Sequence, residues 1–102
     1  RDVSEPAEAA PTISAISADK TSAALNEEIT FTLTVKNATS IRVYIDGSVN
    51  RYIYDVTDGE MTYKLSFTDA GSGTRTVAFE PCRGDVVGAK TAETVIALAA
   101  NS

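Results

Sequence analysis

The sequence predicts an all-β fold, an antiparallel β-sandwich of about seven short strands. Three observations carry that expectation. In EEITFTLTVKN (Glu27 to Asn37), Ile29, Phe31, Leu33 and Val35 fall at every second position, with threonines between most of them. A period of two, enriched in β-branched and aromatic residues, marks a strand with one buried face. Glu60 to Thr68, EMTYKLSFT, repeats the pattern with Met61, Tyr63, Leu65 and Phe67 facing in. Turn residues recur roughly every ten positions, and no segment keeps a helical period.

Taken in order, residues 1–11 (RDVSEPAEAAP) carry little to bury and read as a flexible linker, with Pro6 and Pro11 opposing a helix. The domain then runs over 12–102. Thr12 to Ile16 is a first strand with Ile13 and Ala15 on one face and Ile16 on the other, which calls for a bend or a change of sheet. Asp19 to Ala23 is a polar connection, and Leu25-Asn26 leads into the long strand. The tetrapeptide Asn37-Ala38-Thr39-Ser40 is a polar turn. Ser40 to Asp46 is a strand with Ile41, Val43 and Ile45 inward and Arg42, Tyr44 and Asp46 outward. Asp46-Gly47 is a hairpin signal before a strand at Arg51 to Val56. Thr57-Asp58-Gly59 turns the chain, and Asp69 to Gly73 is a loop. Thr74 to Glu80 is a strand with Val77 and Phe79 inward, and Pro81 to Thr91 is a longer loop. Thr94 to Ala100 closes the domain with Ile96 and Leu98 inward.

Composition narrows the function. The net charge is −5, without the surplus of Lys and Arg that displaces counterions from a duplex, so nucleic acid is not an expected partner. There is no His and a single Cys, Cys82. A His-based catalytic site, an internal disulfide and a Cys-rich zinc site are therefore excluded. No apolar run is long enough to span a bilayer, so no membrane insertion is expected. No signal peptide is visible, and a start at Arg1 rather than Met reads as a piece of a larger or processed protein.

Three segments resemble an immunoglobulin-like module of bacterial surface and secreted proteins. ITFTLTVKNATSIRVYIDG is similar to the second and third strands of such modules, and MTYKLSFTDAGSGTRTVAFEP to the fifth and sixth. TAETVIALAA is similar to the last strand. The resemblance covers roughly residues 12–100. It departs from antibody-type domains, which pack a Cys–Cys bridge on a Trp. Arg75 stands where related modules often place a corner Tyr. The resemblance implies an extracellular or cell-surface location and a non-catalytic role. The module is then a spacer or adhesive domain whose partners are neighbouring domains of its own polypeptide, with no cofactor. The alternatives are a carbohydrate-binding accessory module of a glycan-degrading enzyme and a ligand for a host surface protein.

Tyr44, Tyr52 and Tyr54 are candidates for an aromatic platform of the kind sugar-binding modules use. Register decides, because a one-residue slip exchanges the faces of a strand. Pairing Asp46 with Asn50 puts Tyr44 opposite Tyr52 on the outer face; pairing Asp46 with Arg51 puts Tyr52 and Tyr54 inside. Aromatics commonly fill sandwich cores, so burial or half-burial is the expectation. Arg83-Gly84-Asp85 is the tripeptide that binds integrins in the equivalent loop of fibronectin-type sandwiches, although Gly and Asp are also ordinary loop residues. Asp55, Asp58 and Glu60 flank a turn without the spacing of a calcium loop. Lys36 and Asn101 are the candidates for an isopeptide crosslink, and both read as solvated strand-end residues. Cys82 lacks a group that would activate it, apart from Arg83, and reads as a loop or edge residue. Asn37-Ala38-Thr39 is a glycosylation sequon by pattern. The acids are scattered on turns, which speaks against a hydrolase cleft.

Overall fold

The computed structural model describes residues 10–69 and 73–99, and the regular structure within them is entirely strand. The strands are β1 (Thr12–Ala18), β2 (Ser22–Ala24), β3 (Ile29–Lys36), β4 (Ser40–Ile45), β5 (Ser48–Tyr54), β6 (Gly59–Leu65), β7 (Thr74–Arg83), β8 (Val86–Val87) and β9 (Thr94–Ala99). One sheet has the order β1-β3-β6; the other runs β2-β9-β7-β4-β5, with β8 beside β7. The two sheets close over a shared apolar core. No helix of the described residues is long and apolar enough to cross a membrane.

Alternation sets the core. Along β3, Ile29, Phe31, Leu33 and Val35 are buried and the threonines between them half-buried. Ile41 and Val43 of β4, Val77 and Phe79 of β7, and Ile96 of β9 close on that row with no exposed surface. Phe31 and Phe79 meet edge to face across the layers, with ring centroids 5.3 Å apart. Tyr63 packs edge to face on Phe79 at 6.0 Å. Every residue of the predicted core is buried except Ile45, Met61 and Tyr63, which lie partly buried against it. Ala23, Ala38 and Val56 join it from outside the predicted rows.

The structure differs from the expectations at several points. In β1 the register shifts between Ile13 and Ala15, so that Ile13 opposes Val35 and Ile16 opposes Leu33. This bulge at Ser14 absorbs one residue and turns both isoleucines to the core side, rather than to opposite faces. The change of sheet comes later. The predicted polar connection at Asp19 to Ala23 holds β2, which pairs with β9 in parallel within an otherwise antiparallel sheet.

Pro81 to Thr91 is not a loop throughout. Pro81, Cys82 and Arg83 continue β7, and Val86–Val87 folds back on Cys82 and Arg83. The next strand after β8 is β9, which besides β2 pairs with the first part of β7 alone, Thr74 to Val77. The remaining edge of β7 is satisfied by the returning chain, through Gly88 N–H to Pro81 O at 2.8 Å and Thr91 N–H to Phe79 O at 2.8 Å. A long strand therefore has its edge covered by two successive partners. Gly88 lies so close to the buried Pro11 that a Cβ there would collide with the Pro11 carbonyl.

Candidate functional site

The hairpin β4–β5 decides what faces solvent. Asp46 (φ 55°) and Gly47 (φ 87°) both take left-handed backbone and are the only residues between paired Ile45 and Ser48. That is the sign pattern of a type I′ turn, which Asp-Gly favours. The turn is tied to β7: Asp46 N–H donates to Thr76 O at 2.9 Å, and the Asp46 carboxylate accepts from Thr76 N–H at 3.1 Å and Arg75 Nε at 2.6 Å. The Arg75 guanidinium also donates to Asp69 O and lies over the Phe67 ring, 5.2 Å from its centroid.

The register then shifts between Val43 and Tyr44, leaving Asn50 as the extra residue. Beyond it Tyr52 opposes Arg42 and Tyr54 opposes Ser40. Neither pairing considered from sequence occurs, and the expected burial or half-burial is overturned for Tyr52 and Tyr54. Tyr52 is 51% and Tyr54 68% exposed. The two-residue turn and the bulge together place both rings on the outer face. Their planes lie within 14° of parallel, with centroids 6.1 Å apart.

Tyr44 shares that face but is half-buried. Its hydroxyl donates to Glu80 Oε1 at 2.8 Å, and the same oxygen accepts from Arg42 at 3.0 Å. The bond to Glu80 raises the pKa of Arg42 and that of Tyr44, with burial adding to the shift on the tyrosine. Lys90 places its ammonium 4.3 Å from the centre of the Tyr44 ring. Because Arg42 opposes both Tyr52 and Glu80, the row Tyr52–Arg42–Glu80 crosses three adjacent strands. Glu80 and Lys90 are absent from the predicted site. Alternation along β7 already puts Glu80 out of phase with Val77 and Phe79, but only the pairing sets it beside Arg42.

The other candidates are dispersed. Arg83 ends β7, and Gly84 (φ 59°) and Asp85 form the turn into β8, so the tripeptide does sit on a hairpin tip. Its guanidinium folds back to the Asn37 carbonyl at 3.0 Å. Asp58 accepts the Asn37 N–H at 2.8 Å, and among the described residues no three His, Cys, Asp or Glu side chains are grouped to hold a metal ion. Lys36 is exposed, while Asn101 lies outside the described residues. Cys82 is neither a loop nor an edge residue: it is buried within β7, where its thiol donates to Glu80 O at 3.7 Å and burial pushes its pKa up. A cleft of about 260 Å³ opens between the sheets beside Arg51, Phe67 and Arg75.

No protein-family model matches the chain, and no curated protein matches it.

Proposed function

We propose that the chain is a non-catalytic immunoglobulin-like module serving as a structural or adhesive domain of a multidomain bacterial extracellular protein. The observation that carries this reading is the strand order. Immunoglobulin sandwiches set strands A, B, E and D in one sheet and C, F and G in the other, with C′ added beside C in variable-type domains; among the described residues the first sheet here has no counterpart of D. β1, β3 and β6 fit the first set, and β4, β5, β7 and β9 fit C, C′, F and G. The acids support a non-catalytic role, since several are engaged in holding turns. Asp19 accepts the Thr30 N–H, Asp46 that of Thr76, and Asp58 that of Asn37. Turnover of chromogenic ester, glycoside or phosphate substrates above the buffer rate would overturn the reading.

A second reading, a carbohydrate-binding accessory module, is favoured by the exposure of Tyr52 and Tyr54. A glycan array separates it from a pure spacer, for which no spot is retained. The host-receptor reading rests on Arg83-Gly84-Asp85, whose Arg donates to the Asn37 carbonyl. Unchanged cell attachment after Asp85→Glu would remove it.

A further inference from the structure

Resting on the carbohydrate-binding reading above, we infer that Tyr52, Tyr54, Arg42 and Glu80 form one binding site for a neutral sugar chain lying across the outer face of β5, β4 and β7. Two exposed near-parallel rings provide apolar area at the edge of the sheet. Their 6.1 Å separation is less than the roughly 7 Å that two van der Waals contacts need, so no ring enters between them. The ligand therefore covers the pair from outside. A flat ligand with an apolar C–H face and a polar rim meets that requirement, and a pyranose has both.

The neighbouring strands supply the polar half. Glu80 Oε1 is held by Tyr44 and Arg42. This leaves its other carboxylate oxygen as an acceptor, beside the remaining guanidinium donors of Arg42. A sugar hydroxyl both donates and accepts, so two adjacent hydroxyls match a fixed acceptor next to a fixed donor. The side chains are held before any ligand arrives, which reduces the ordering cost of binding. The charge balance selects the class. Arg42 is neutralised by Glu80 at 3.0 Å, Lys90 adds one positive charge over the Tyr44 ring, and the chain as a whole carries −5, which repels polyanionic chains.

The test is affinity electrophoresis of the full chain in gels containing hydroxyethylcellulose, galactomannan, soluble starch or polygalacturonate. Retardation by at least one of the three neutral polymers and not by polygalacturonate is the expected result. Tyr52→Ala and Tyr54→Ala should each weaken retardation about tenfold, and Arg42→Gln several-fold. Far-ultraviolet dichroism and the melting temperature of each variant confirm that the fold is intact. Retardation that survives both tyrosine changes would overturn this site while leaving a carbohydrate-binding module in place. Loss with the tyrosines but not with Arg42→Gln would overturn the polar half. Equal retardation by polygalacturonate would overturn the neutral class. No retardation of the native chain by any polymer would overturn the carbohydrate-binding reading itself.

Discussion

The outer faces of the two sheets are built on the same pleat and hold different chemistry. On the three-stranded sheet, Thr30, Thr32 and Thr34 of β3 oppose Lys64, Thr62 and Glu60 of β6 and, on the other side, Thr32 and Thr34 oppose Ser17 and Ala15 of β1. Among the described residues no aromatic side chain stands on that face. On the six-stranded sheet, Arg42, Tyr44 and Glu80 lock together, and Tyr52 and Tyr54 stand exposed beside them. Both faces follow from burial on alternate residues, except along β7, where the outward Ala78 and Cys82 are buried too. The difference teaches that alternation leaves the outward row free. Only one of the two rows has been given large side chains that organise one another.

The sharpest way to break this comparison is to substitute neighbours on opposite faces. Phe31→Ala should cost about 3–5 kcal/mol in urea denaturation, because it opens a cavity against Phe79. Thr32→Ala, one residue on and facing out, should stay within about 0.5 kcal/mol. Similar losses at the two positions would mean that the faces are not distinguished as described.

Asp46→Ala comes next, at about 2 kcal/mol. It removes the acceptor for Thr76 and places an alanine in left-handed backbone. Asp46→Asn tolerates that backbone and keeps an oxygen for Thr76, so it should lose only the partly exposed ion pair, about 0.5 kcal/mol. Two indistinguishable midpoints would show that the turn is not held through β7.

Tyr63→Phe should leave stability unchanged or raise it by about 1 kcal/mol. The phenol oxygen is buried without a hydrogen-bond partner among the described residues, so deleting it removes a desolvation cost. A clear loss would reveal a partner for that hydroxyl. Tyr52→Ala and Tyr54→Ala should move the melting temperature by no more than about 3 °C, as expected for residues outside the core.

The smallest expected effect depends on pH. Burial raises the pKa of the Cys82 thiol. The native state therefore keeps this proton at a pH where the unfolded chain has lost it. The unfolded state binds fewer protons in that window, so stability falls as pH rises above the unfolded thiol's pKa. Urea midpoints between pH 7 and 10 should decline more steeply for the native chain than for Cys82→Ala, and parallel curves would contradict the buried thiol.

Much of the core was legible because it depends on local periodicity. Ile29, Phe31, Leu33 and Val35 announce a buried face in any register, and the predicted inner rows of β4, β7 and β9 match the structure. Legibility failed where one extra residue shifts the phase. Ser14 in β1 and Asn50 opposite β4 carry no sequence mark of a bulge, yet the first turns Ile16 inward and the second sends Tyr52 outward. Likewise Pro81 hid the continuation of β7, because a proline there gives up no hydrogen bond that the covered edge needs: its carbonyl, not its nitrogen, meets Gly88.

By itself the sequence determined that this chain forms strands, which residues lie along their apolar sides, and that it holds neither a His-based site nor an internal disulfide. Those properties follow from residue type and a spacing of two along the chain. The tertiary structure alone decided which outward residues became neighbours. Glu80 and Arg42 are 38 positions apart in sequence and meet only because β7 docks beside β4 in one register. Pairing between strands is a long-range choice, made by how the two sheets close, and it can convert the same alternating pattern into a bare surface or a built one.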